Sequence, residues 1–148
     1  MRDMATDLRC ALDPVAFAET RLDFAPDRWQ AKVLHSTGNL LLNCSRQAGK
    51  STTTAILATH TALYSPGALV LLGSPSLRQS RELFSKVSDF IGKLEPAPTL
   101  EEDNKLSLTL ANDSRVVSLP GSGETVRGFS APDLIIEDES AFVEDSFY

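Results

Sequence analysis

The stretch with the clearest chemistry is Cys44-Ser45-Arg46-Gln47-Ala48-Gly49-Lys50-Ser51-Thr52. Apolar Leu40-Leu41-Leu42 leads into it, and residues 53–64 after it suit a helix. Strand, tight loop ending in Gly-Lys-Ser, then helix is the context of a phosphate-binding loop. Backbone N–H groups of such a loop and of the helix start form a nest of positive partial charge suited to a polyphosphate. Lys50 adds a point charge for the β- and γ-phosphates. Ser51 adds a small hydroxyl suited to Mg²⁺. The usual pattern begins with glycine, and here that position is Cys44, which is also compact. The plain alternative is a chance Gly-Lys-Ser at a strand-to-helix turn.

A second chemical stretch is Leu134-Ile135-Ile136-Glu137-Asp138-Glu139, an apolar strand ending in acids. Asp138 is placed to hold Mg²⁺, directly or through water, with Ser51 as the other protein ligand. Glu139 is placed to orient and polarise an attacking water as general base. Adjacent strand residues point to opposite faces, but a turn at the strand end can bring both acids to one site. Glu137 interrupts the apolar run and takes no role. Phosphoryl transfer also needs a cation over the developing charge, and Arg46 and Arg127 are both candidates. The alternative for each is a surface charge. Trp29 and Gln30 together suit an adenine, since the ring stacks and the amide both donates and accepts. A core tryptophan beside an exposed glutamine is the equal alternative.

These residues need elements to position them. Residues 1–12 read as a loosely held arm, and 13–148 as the N-terminal part of one ATPase-type domain. Asp13-Pro14 reads as a helix start, with Asp13 as N-cap. Ala31, Val33 and Leu34 follow Trp29-Gln30 at helical spacing. Residues 40–43 read as a buried strand, and 68–73 as a second, the latter of the kind covered on both faces of a parallel sheet. Leu77, Ser80, Leu83, Phe84, Val87, Phe90, Ile91 and Leu94 form the cleanest helical stripe, starting near Ser76. Arg78, Gln79 and Arg81 near its start read as a solvated face, with nucleic-acid backbone contact as the sharper reading. Residues 95–104 read as loop. Residues 105–110 and 115–119, joined by Asn112-Asp113-Ser114, read as a hairpin. Residues 120–124 read as a flexible connector.

The 148 residues fit one domain, and 42% hydrophobic with 23% charged residues is the balance of a soluble globular chain. No apolar run nears the roughly 20 residues of a membrane span. The N-terminus lacks the apolar core of a signal peptide. Cys10 and Cys44 form no disulfide framework, which fits a reducing cytoplasm. A net charge of −6 argues against a nucleic-acid-coating domain, so any DNA contact is local.

Taken together, Pro26-Asp27-Arg28-Trp29-Gln30, Ser45-Arg46-Gln47-Ala48-Gly49-Lys50-Ser51, Ser74-Pro75-Ser76-Leu77-Arg78-Gln79-Ser80, Arg127-Gly128 and residues 134–142 resemble the large terminase subunit of tailed bacteriophages. That subunit is the ATPase that drives DNA packaging. Arg46-Gln47 inside the loop is the most specific piece, and the missing first glycine is similar to what terminases show. The resemblance implies an α/β P-loop NTPase fold of the RecA-like, additional-strand type. Its sheet would be mostly parallel and flanked by helices, with a β-hairpin insertion and a truncation after the acidic strand. It implies ATP and Mg²⁺ as cofactors, and nucleotide contact by Trp29, Gln30, Ser45, Arg46, Gln47, Ala48, Gly49, Lys50, Ser51 and Thr52. It implies a finger role for Arg46, or for Arg127 reaching a neighbour in a homo-oligomeric ring. Double-stranded DNA, the portal protein and the small terminase subunit are the implied partners, in the cytoplasm of an infected or lysogenic bacterium. The family's nuclease domain does not fit in this length and is not carried over.

Two other readings share these motifs. A helicase-like, nucleic-acid-stimulated ATPase also uses an adenine-contact glutamine and a strand-end Asp-Glu. A non-catalytic remnant would bind a packaging partner without turnover.

Overall fold

A computed structural model of the chain describes residues 3–120 and 128–142. Helix α1 spans Met4–Leu12, α2 Pro14–Arg21, α3 Arg28–Leu34, α4 Lys50–Tyr64 and α5 Leu77–Lys93. The strands are β1 Leu69–Ser74, β2 Leu100–Asp103, β3 Ser107–Leu110, β4 Arg115–Pro120 and β5 Leu134–Glu137, followed by a 3₁₀ turn at Ser140–Phe142. They form one open sheet in the order β2-β3-β4-β1-β5.

Strand β1 is the axis of the sheet. It pairs in parallel with β4 on one side and with β5 on the other. All its residues are buried, as a strand covered on both faces requires. Ala55, Ala58 and Ala62 of α4 pack with Leu83, Phe84, Val87 and Ile91 of α5 over Val70, Leu72, Val116 and Ile136 of the sheet. Small alanines let α4 lie close to the strands. The other side of α4 presents Ile56, which packs with Phe17, Ala18, Leu34 and Cys10 of the first three helices. Helix α4 is therefore sandwiched, which explains why its sequence is apolar nearly all round. Leu69, Leu71 and Leu119 point to the opposite sheet face, where Phe129 packs on them.

Local signals set several boundaries as read from the sequence. The Asp13 carboxylate accepts from the Val15 N–H at 2.9 Å, and Pro14 opens α2. Ser76 caps α5 through the Gln79 N–H. Strands β3 and β4 pair antiparallel around residues 111–114, where Asp113 takes a positive φ of 65°.

Four expectations need correction. Residues 4–12 are a helix and no arm, because Asp3 caps it and Cys10 is fully buried against the second layer. An Arg21–Asp7 ion pair and a 3.0 Å hydrogen bond from His60 Nε2 to the Cys10 carbonyl tie it down. Residues 95–104 are not all loop, because Leu100–Asp103 forms β2 along β3. Its Leu-Glu-Glu-Asp sequence is wholly exposed, which an edge strand permits. The sheet is mixed, since the hairpin belongs to it and the β2–β3 and β3–β4 ladders are antiparallel. Finally, residues 40–43 form no strand, and Leu40 and Leu41 are 51% and 86% exposed. A strand exists through its ladder, and no described strand lies beside this segment to supply one.

Candidate functional site

The loop between residue 43 and α4 curls through two left-handed residues, Gln47 at φ 60° and Gly49 at φ 89°. Gly49 stands at the N-cap of α4 and offers no side chain there. The turn folds the loop back over the start of the helix. Lys50 Nζ donates to the Cys44 carbonyl at 2.9 Å and to the Ser45 carbonyl at 3.2 Å. The Thr53 hydroxyl donates to the Gly49 carbonyl at 3.0 Å, and the Thr54 hydroxyl to the Lys50 carbonyl at 3.2 Å. These bonds stiffen the first turn of α4 beneath the loop. Ser45, Arg46 and Gln47 are exposed at the rim, while Ala48, Lys50, Ser51 and Thr52 are half-buried.

The acids arrive on β5. Gly73 of β1 lies opposite Glu137, and the Asp138 N–H donates to the Gly73 carbonyl at 2.9 Å. At the other end of β5 the Asp133 carboxylate accepts from the Leu69 N–H at 2.8 Å, which fixes the register. The chain then turns: Glu139 takes φ 55°, and its carbonyl accepts from the Phe142 N–H at 2.9 Å. A non-glycine residue in this region is uncommon, and such strain gathers at functional sites.

The two stretches meet. Ser51 Oγ donates to Asp138 Oδ2 at 3.2 Å, across 87 residues of sequence. A hydroxyl and a carboxylate oxygen are hard donors of the type Mg²⁺ takes, and Mg²⁺ fills its remaining positions with water and phosphate oxygens. This donor set fits that ion. Among the described residues no cluster of three or more His, Cys, Asp or Glu offers an all-protein cage instead. Glu139 is exposed beside Asp138. Arg127 lies outside the described residues.

The Trp29-Gln30 pair departs from both sequence readings. Trp29 is half-buried and Gln30 is buried at 5% exposure. Gln30 Oε1 accepts from the Asp27 N–H at 2.7 Å, the reciprocal half of a capping box at the start of α3. Its amino group faces the phosphate loop: a Cβ built on Gly49 would meet Gln30 Nε2 at 2.7 Å. The Asp27-x-x-Gln30 spacing is a capping-box signal, and it was the sequence clue to this arrangement.

The groups with displaced titration lie elsewhere. Burial pushes the His60 imidazole down, against hydrogen bonds to the Cys10 and Ala11 carbonyls that favour its charged form. Burial raises Asp13 slightly, but bonds from His35, Ala16 and Val15 outweigh it and hold the carboxyl low. The recessed clefts also avoid the loop. One lies among Phe17, Arg21, Tyr64 and Pro96, the other among Arg81, Ser85, Ser88 and Lys105. The loop lies at the surface, with Leu40 and Leu41 exposed ahead of it and Ile135 exposed on the strand that brings the acids.

Searches with protein-family models find no match to the chain. Among solved structures, the chain is similar to the large terminase ATPase domain of Thermus phage P74-26. The TM-score is 0.74 at 21% identity, over 88% of this chain and 59% of that one. An arginine-to-alanine mutant of the same domain gives 0.76 at 23% identity, with the same coverage. The fold is that of a large-terminase ATPase domain. The chain spans 59% of the length of those solved domains.

Proposed function

We propose that this chain is the N-terminal part of a large-terminase ATPase. In this reading it hydrolyses ATP with Mg²⁺ and, within the complete motor, drives double-stranded DNA into a procapsid. One observation carries the reading: Ser51 and Asp138 stand 3.2 Å apart although 87 residues separate them. A chance Gly-Lys-Ser would have no reason to face the end of an acidic strand. The shared fold supports the same reading independently.

The loop N–H groups and the α4 N-terminus receive the phosphates. Lys50 leaves the Cys44 and Ser45 carbonyls and turns its charge to the β- and γ-phosphates. Ser51 and Asp138 hold Mg²⁺, which when bound neutralises charge on the β- and γ-phosphate oxygens. Glu139 accepts a proton as a water oxygen bonds to the γ-phosphorus and the bond to the ADP oxygen breaks. Arg46 on the loop, or Arg127 acting on a neighbouring protomer, offsets the developing charge. The Trp29-Gln30 segment takes the adenine. A homo-oligomeric ring, the portal protein and the small terminase subunit are the proposed partners, and the cytoplasm of a bacterial host is the proposed location.

The test is Mg-ATP binding by calorimetry. Lys50→Ala is expected to abolish it while leaving the melting transition in place. Unchanged binding by Lys50→Ala overturns the proposal.

A further inference from the structure

Gln30 was read from the sequence as a base-reading residue. The structure gives it different work. Reading an adenine edge takes both halves of an amide, one donating and one accepting. Here Oε1 is engaged by the Asp27 N–H at 2.7 Å, and that bond fixes which way the amide points. A backbone N–H can only donate, so the oxygen must face Asp27 and the amino group must face the other way. What lies there is Gly49, the last loop residue before Lys50, close enough that a methyl group would collide with Nε2 at 2.7 Å. Gln30 is buried, and Leu34 of α3 packs into the same cluster as Ile56 of α4. The amide is thus a rigid block between the start of α3 and the loop end of α4.

We propose that Gln30 is a positioning residue for the phosphate loop. It holds Gly49 in its left-handed turn and sets the N–H nest, so it governs affinity for the triphosphate moiety and leaves the choice of base to other groups. The inference rests on the ATP-binding reading above and deepens it. It also explains why Gly49 cannot be replaced: its φ of 89° and the wall formed by Gln30 exclude a side chain independently.

The experiment compares binding of Mg-ATP, Mg-GTP and Mg-tripolyphosphate to the 148-residue chain and its variants. Gln30→Ala is expected to weaken all three by a common factor of about ten, the loss of one buried polar contact, leaving the ATP-to-GTP ratio unchanged. A collapsed ratio with tripolyphosphate binding intact overturns the inference, as does unchanged binding of all three. A merely structural part for Gln30 is separated by Gly49→Ala. The cost of Gly49→Ala to tripolyphosphate binding must be smaller in the Gln30→Ala background than in the wild type, because the collision is gone. Equal costs in both backgrounds overturn the inference. If Gln30→Ala fails to fold, Gln30→Glu keeps the acceptor for Asp27 and removes the amino group, and wild-type tripolyphosphate affinity in that variant is equally fatal. Failure of the wild-type chain to bind any of the three ligands is a different result, and it removes the ATP-binding reading itself.

Discussion

The two edges of the sheet are built on opposite principles. At one edge, β2 is Leu100-Glu101-Glu102-Asp103, exposed throughout and broken in register between Leu100 and Glu102. Charge and irregularity are how proteins keep an edge from recruiting another strand. At the other edge, β5 is Leu134-Ile135-Ile136-Glu137, regular in register with β1 and apolar until its last residue. Ile135 is 46% exposed there, and Leu40 and Leu41 are exposed as well. The guarded edge carries none of the candidate chemistry. The unguarded one leads into Asp138 and Glu139, and the phosphate loop reaches it through the Ser51–Asp138 bond. The sheet thus puts its regular, unprotected edge where the acids must be held in register.

The comparison is broken most severely at the acids. Asp138→Ala is expected to reduce Mg-dependent ATP turnover to background, and Glu139→Gln to lower it by about 10²–10⁴-fold while Mg-ATP still binds. Glu102→Gln on β2 serves as the control. It is an exposed edge substitution expected within about 0.5 kcal/mol of wild-type stability and without effect on turnover. A phosphate-release assay with and without added DNA measures all three. Equal loss in Glu102→Gln would mean that the two edges do not differ as described.

The next effect concerns association. Ile135→Lys places a charge on the unguarded edge and is expected to lower self-association at high concentration. Glu102→Val removes a charge from the guarded edge and is expected to raise it. Sedimentation velocity over a concentration series reads both. Identical behaviour of the two variants would show that edge character does not control association.

What the sequence made legible was whatever is decided locally. Asp13-Pro14, Ser76 with the stripe behind it, and Asn112-Asp113-Ser114 each specify a boundary through bonds made within a few residues. Residues 40–43 misled because apolar character is necessary for a buried strand and insufficient without a partner. Strand β2 was missed for the converse reason: pairing with β3 makes it a strand although nothing in it asks for burial. Helix α1 was missed because its anchors, Arg21 and His60, come from elsewhere in the chain. In the site, the meeting of Ser51 with Asp138 follows from two end-of-element motifs facing one another. The orientation of Gln30 did not follow, because the Asp27 N–H decides it and the residue type alone suits either use.

The smallest expected effect belongs to neither edge and so calibrates both. His60 lies between α4 and the first two helices, with its ring 5.5 Å from Phe17 and 5.0 Å from Tyr64. Burial lowers its folded-state pKa below the ordinary value of 6.5. The unfolded chain therefore takes up its proton first as pH falls, and stability is lost below pH 6.5 until the folded state also protonates. At most one proton is involved, so the slope of stability against pH is bounded by one proton's linkage. His60→Gln, which can still donate toward the Cys10 carbonyl, is expected to flatten this slope between about pH 6.5 and 5, above the range where most carboxylates titrate. Urea denaturation at several pH values measures it. Turnover per folded molecule should not change with this substitution, because His60 touches the helical layer and neither acid. If it does change, the helical side of α4 is coupled to its loop end, and the separation drawn between scaffold and site is too sharp.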